Sequence, residues 1–116
     1  MNTDYLFLGL IVAFIAWRLL SSYRARQRIP QLMKEGAQLV DVRSPAEFAS
    51  GHVPGSVNIP LNEIDQGGAA RLDKQRWVIV YCASGTRSAM ARRQLLGRGF
   101  ERVLNAGTWR NVKAAL

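Results

Sequence analysis

The 116-residue chain has one cysteine, Cys82, and one histidine, His52. A lone cysteine excludes an internal disulfide and leaves no second thiol to resolve chemistry begun at the first. It also fits a reducing compartment. One cysteine and one histidine cannot assemble a protein metal site, so no metal is expected. Acidic residues are scarce, 8 against 16 Lys and Arg, and 13 of those 16 are Arg, for a net charge of +8. That excess favours anionic partners. The basic residues are scattered and no nucleic-acid-binding motif accompanies them, so an anionic substrate or membrane surface is expected and nucleic acid is not. The chain has neither an internal repeat nor a low-complexity stretch.

No Lys or Arg precedes residue 18. From Tyr5 to Trp17 the chain is apolar all round, without the polar face of an interfacial helix. These thirteen residues are short for a membrane span. Leu19 and Leu20 extend the apolar surface past Arg18, whose long side chain can snorkel to the headgroups. The stretch from Tyr5 to Tyr23 would cover about 28 Å as helix, with Tyr5 at one end and Trp17 and Tyr23 at the other as aromatic belts. A cleaved signal peptide would need a basic N-terminal flank and a small-x-small site, and the flank here carries Asp4 instead. The expectation is an uncleaved single-pass anchor in the cell membrane. Arg18, Arg24, Arg26 and Arg28 all follow the span, which places the rest of the chain in the cytoplasm. Residues 1–28 therefore read as anchor and basic juxtamembrane linker, and residues 29–116 as one small domain of modest stability.

Within that domain, strands and helices alternate. Ile29–Gly36 reads as a short helix with Pro30 near its start, and Ala37–Val42 as a buried strand. Ser44, Pro45 and Glu47 form a capping box. Gly51–Gly55 is a turn, Ser56–Ile59 a short strand, and Leu61–Ile64 a helix broken at Gln66–Gly68. Trp77–Tyr81 is a β-branched and aromatic run typical of a buried strand. Ser88–Leu96 is a helix stopped by Gly97, Arg102–Leu104 a last short strand, and Trp109–Leu116 a final helix. The alternation predicts an α/β fold: a mainly parallel sheet with helices on both faces, preceded by one transmembrane helix.

The chemistry concentrates in Cys82-Ala83-Ser84-Gly85-Thr86-Arg87-Ser88. A thiol at the carboxyl end of a strand, followed by a glycine-bearing loop and a helix start, sits where α/β folds bind ligands. Loop amides and the helix N-terminus favour thiolate over thiol. Arg87 adds a fork of donors suited to an oxyanion. Without the glycine, the arginine and the helix start, Cys82 would read as an ordinary buried cysteine.

Cys-x-x-Gly-x-Arg-Ser after a hydrophobic strand resembles the active-site loop of the single-domain rhodanese (thiosulfate sulfurtransferase) family. A second stretch agrees: Asp41-Val42-Arg43-Ser44-Pro45-Ala46-Glu47-Phe48, then Gly51-His52-Val53-Pro54-Gly55-Ser56-Val57-Asn58-Ile59-Pro60, is similar to that family's N-terminal signature. The resemblance covers roughly Ile29 to Leu116. It implies a rhodanese-like domain in which Cys82 takes sulfane sulfur from thiosulfate or a similar small anion. Cys82 would hold it as a persulfide and pass it to cyanide or to a thiol or protein acceptor. It implies no metal and no organic cofactor. Ala83, Ser84, Gly85, Thr86, Arg87 and Ser88 would bind the substrate and the persulfide, with Asp41 and Arg43 supporting the site wall. His52 would be structural, since a thiolate made by amides needs no base. One departure is Thr108, where the family has a second glycine before Trp109, and it places the C-terminal packing in question.

Two alternatives remain at this level. A persulfide carrier that serves a partner protein without turnover would use the same residues. Cysteine phosphatases and arsenate reductases are a more distant alternative, because phosphate-binding loops have Cys-x5-Arg and this chain has Cys-x4-Arg.

Overall fold

The computed structural model describes residues 2–116. Helix α1 spans Thr3–Lys34. It is followed by strand β1 (Gln38–Asp41), helix α2 (Pro45–Ala49), strand β2 (Val57–Asn58), helix α3 (Leu61–Ile64) and a 3-10 turn at Gly68–Arg71. Strand β3 (Val78–Cys82), helix α4 (Thr86–Gly97), strand β4 (Val103–Thr108) and helix α5 (Trp109–Ala115) complete the chain. The four strands form one parallel sheet in the order β2-β1-β3-β4. This is the expected α/β architecture, with helices on both faces.

Side-chain alternation along β3 assigns the two cores. Val78, Val80 and Cys82 face one side with Val40, Val42, Ile64, Ala91 and Leu95. Ile79 and Tyr81 face the other with Ile29, Leu32, Leu39, Ala106 and Val112. All five residues of β3 are buried, so β3 is the central strand and reads as an unbroken hydrophobic run. The same parity puts the Cys82 side chain on the α4 face, under that helix's first turn.

Helix α1 differs from expectation. No new helix starts at Ile29, because one helix runs from Thr3 through the basic stretch Ser21–Arg28 and Pro30 to Lys34. A proline inside a helix costs about 3 kcal/mol. Ile29 and Leu32 flank it and are buried against β4 and α5, and each such side chain returns roughly 1.5–3 kcal/mol. The amide of Asn111 ties the helix further, donating to the Ser22 carbonyl at 3.0 Å and the Ala106 carbonyl at 2.8 Å. From Tyr5 to Leu20 the helix is exposed and projects from the domain, giving a long dimension of 53 Å.

Two other boundaries move. Helix α4 ends one residue later than expected: Gly97 is helical, and the left-handed residue that lets the chain leave is Gly99, at φ +93°. Strand β4 runs on to Thr108 because a bulge absorbs the turn-forming Asn105-Ala106-Gly107. Val80 pairs with Asn105 and Tyr81 with Gly107, leaving Ala106 as the extra residue. Thr108 then caps α5, its hydroxyl accepting from the Asn111 amide at 3.1 Å. Thr108 thus has a structural role where the family pattern has glycine.

Candidate active site

Cys82 ends β3 and is fully buried. Ala83 and Ser84 carry the chain over it, and Gly85 turns it back in the left-handed conformation at φ +95°, where a side chain would be strained. Helix α4 starts immediately afterwards. The turn aims donors at sulfur: the Gly85 amide reaches Cys82 Sγ at 2.9 Å and the Ser88 amide at 3.4 Å. Ser88 Oγ lies 3.4 Å from Cys82 Sγ: it accepts from the neutral thiol, its own proton then going to the carbonyl of Gly85 (3.0 Å) or Gly107 (3.3 Å), and it can turn that proton to the sulfur when Cys82 is thiolate. Burial alone would push the Cys82 pKa up. The Ser88 hydroxyl and the amides of Ser88, Gly85 and Ser84 outweigh it, and the thiol lies below its ordinary value. The loop stabilises the thiolate without a general base.

His52 is engaged elsewhere. Its ring stacks on Phe48 with centroids 3.6 Å apart, and its Nδ1 lies 2.8 Å from the Phe48 carbonyl oxygen.

The Arg87 guanidinium does not stand free. Both arms of its fork are held by Glu47, with Nη1 to Oε1 at 2.6 Å and Nη2 to Oε2 at 3.0 Å. Glu47 also completes the capping box of α2: its carboxylate accepts from the Ser44 amide at 3.1 Å while Ser44 Oγ accepts from the Glu47 amide at 3.2 Å. The hydrogen bonds from Arg87, then those from Ser44, hold the Glu47 carboxyl down to about 2, and pairing with Glu47 raises Arg87. From the sequence Glu47 was identifiable only as a cap. Its pairing with Arg87 depends on how α2 meets α4, which no local pattern reveals.

Asp41 and Arg43 form a buried ion pair. Arg43 Nε donates to both Asp41 oxygens, at 3.0 and 2.9 Å, and Nη2 donates to Oδ2 at 2.7 Å. A buried pair is favourable only when its remaining groups are satisfied. Here Arg43 Nη2 also donates to the Gly51 carbonyl at 2.6 Å, and the guanidinium lies over the Trp109 ring, 4.6 Å from its centre. The hydrogen bonds to Asp41 raise the Arg43 pKa, outweighing the effect of burial. The pair fastens the Gly51 turn to the start of α5 beside the cysteine loop.

The loop has an opening on each side. One is a cleft of about 570 Å³ lined by Ala83, Arg43, Thr108, Trp109, Arg110 and Lys113. The other is a cavity of about 520 Å³ between α1 and Ser84, Gly85 and Thr86. On that side Arg18 Nη2 donates to the Ser84 carbonyl at 3.2 Å. The sequence suggests that Arg18 snorkels to headgroups; the structure has it touching the cysteine loop 66 positions away. The loop residues singled out from sequence therefore divide. Gly85 and Ser88 hold sulfur directly, Ser84 and Thr86 face α1, Ala83 faces the cationic cleft, and Arg87 is paired with Glu47.

Comparison with known proteins identifies the family and the fold. Residues 26–114 match the family model described as rhodanese-like domain. The chain is 41% identical over 71 residues to a sulfurtransferase of Allochromatium vinosum, covering 61% of this chain and 65% of that protein. It is 38% identical over 96 residues to thiosulfate sulfurtransferase GlpE of Pseudomonas aeruginosa, covering 78% of this chain and 86% of the relative. Among solved structures, a rhodanese with anions from E. coli superposes with a TM-score of 0.61 at 37% identity, covering 65% of this chain and 89% of the other.

Proposed function

The chain belongs to the rhodanese-like domain family, and from that premise we propose that it is a sulfurtransferase that carries sulfane sulfur on Cys82. The observation that carries this proposal is the set of donors converging on Cys82 Sγ from Gly85 and Ser88. They favour thiolate in a buried pocket and would stabilise an anionic persulfide in the same place.

With thiosulfate as donor, the thiolate attacks the outer sulfur. A Cys82–sulfur bond forms, the sulfur–sulfur bond to the sulfonate breaks, and sulfite leaves with the bonding pair. Cyanide, or a thiolate acceptor, then attacks the outer persulfide sulfur and returns Cys82 to thiolate. No proton transfer is needed at the cysteine in either half, which agrees with a site where His52 is turned away. The cationic cleft at Ala83, with Arg110 and Lys113, offers the approach for a small dianion. The Pseudomonas relative is named a thiosulfate sulfurtransferase, and the same activity is proposed for this chain. Phosphoryl transfer is disfavoured because Glu47, the carboxylate nearest the loop's arginine, is held ionised and cannot supply a proton to a leaving group.

Helix α1 supports the further proposal of a single-pass anchor in the cell membrane with the domain in the cytoplasm. From Tyr5 to Trp17 it is apolar and uncharged, and all of these residues are exposed. Alkaline carbonate extraction of membranes tests the anchor, and protease access in spheroplasts tests the side. For the activity, thiocyanate release from thiosulfate and cyanide by the full chain is expected, with none above background from Cys82→Ser. Equal release by the two proteins would refute a persulfide route.

A further inference from the structure

We propose that the cavity between α1 and the active-site loop is a binding site for an anionic membrane phospholipid. Its phosphate would meet Arg18 and Arg93, and its acyl chain would lie along Phe14 and Trp17. The proposal rests on the anchoring role of α1 given above and adds a ligand that the sulfurtransfer reaction does not require.

The height of the loop relative to the span is the first ground. Trp17 ends the uncharged apolar run, and the next residue, Arg18, donates to the Ser84 carbonyl. If the run lies in the bilayer, the loop over Cys82 lies in the headgroup layer. The lining is the second ground. The cavity of about 520 Å³ is bounded on one side by Phe14, Trp17 and Met90, all strongly exposed, which continue the apolar surface of the span. It also includes two cations, Arg18 and Arg93, and no carboxylate among the described residues. A small aqueous anion would satisfy the cations and leave the aromatic wall in water. A phosphate carrying an acyl chain satisfies both. The cleft on the other side of the loop has the complementary character, with Arg110 and Lys113 and no apolar residue of the span. The loop thus has a water-side and a membrane-side opening.

The test uses the full chain with a benzophenone amino acid in place of Met90, in phosphatidylcholine nanodiscs containing a minor share of phosphatidylglycerol. Illumination and intact mass then read which lipid is attached. Expected is an adduct in which phosphatidylglycerol exceeds its share of the bilayer several-fold. That enrichment should be lost in the Arg18→Gln, Arg93→Gln double variant and be insensitive to glycerol phosphate added to the water. The same label at Leu96, exposed on α4 outside the cavity, should show no enrichment. An adduct mirroring bilayer composition overturns the proposal, as does no lipid adduct from a chain that remains in the disc. Competition by glycerol phosphate would make the cavity an aqueous anion site and also overturn it. A chain that does not enter discs fails at the anchor and takes this proposal with it, while its sulfur loading by thiosulfate still reports separately on the sulfurtransferase.

Discussion

Glu47 and Arg87, forty positions apart, are joined by two hydrogen bonds of 2.6 and 3.0 Å. The one cation inside the active-site loop is thereby matched by a carboxylate from α2. Charge stabilisation at Cys82 falls to the amides of Gly85 and Ser88 and the Ser88 hydroxyl, while Arg87 is paired with Glu47.

Replacing Glu47 by Gln separates the two roles of that carboxylate. Gln retains the capping box but releases the Arg87 charge. The KM for thiosulfate is expected to fall several-fold in Glu47→Gln with kcat little changed. In Arg87→Ala, which strands the Glu47 carboxylate at the rim, KM should rise about tenfold, the effect of roughly 1.4 kcal/mol. Steady-state thiocyanate kinetics at low ionic strength check both. A rise in KM for Glu47→Gln would show instead that the pair is needed to shape the loop.

The same pair predicts an acid limb in stability. The Glu47 carboxyl is held at about 2, below its ordinary 4.5. A depressed carboxyl contributes stability above its unfolded value, and that contribution is lost as pH falls from about 4.5 toward 2. The side chains are about a third exposed, so the contribution is screened and salt-sensitive. Urea midpoints measured from pH 6 down to pH 3 should fall less steeply in Glu47→Gln than in the parent chain.

Ser88→Ala removes the one side-chain hydroxyl at Cys82 Sγ while leaving the amides. The thiol pKa should rise, so the pH profile of iodoacetamide alkylation should move to higher pH. The rate at neutral pH should drop several-fold. Removing this buried hydroxyl should also cost about 1 kcal/mol of stability through its lost bonds to Gly85 and Gly107. An unmoved alkylation profile would assign the thiolate to the amides alone.

Gly68→Ala tests the packing under the sheet's α3 side, away from the sulfur chemistry. A Cβ there would meet Ile59 Cγ2 at 2.6 Å and the Glu63 carbonyl oxygen at 2.7 Å. Overpacking of this kind costs about 1–3 kcal/mol. The unfolding midpoint should drop accordingly, and the folded protein should keep its alkylation rate at Cys82.

What the sequence makes legible is what local physics determines. The β-branched run ending at Cys82, the capping box of Ser44 and Glu47, and the glycine that turns the chain over the thiol each follow from a few adjacent residues, and each is found in place. What it hides is pairing across space. The Glu47–Arg87 pair and the Arg18–Ser84 contact depend on how helices meet, at separations of 40 and 66 positions. Boundaries shift where tertiary contact overrides a local breaker. Pro30 stays helical between the buried Ile29 and Leu32, and Asn105-Ala106-Gly107 stays in β4 as a bulge held by neighbouring β3. Thr108 looked like a flaw against the family pattern and is the cap of α5.

The central claim is that Cys82 carries sulfur, and intact mass tests it most directly. The full chain in mild detergent is incubated with thiosulfate, desalted and weighed beside Cys82→Ser. A gain of one sulfur, about 32 Da, in the parent chain only, reversed by cyanide, is the predicted result. No gain in the parent chain, with its thiol still alkylated rapidly at neutral pH, would contradict thiosulfate as donor and leave a reactive thiol charged by another sulfur source. No gain together with an inert thiol would contradict the sulfurtransferase itself.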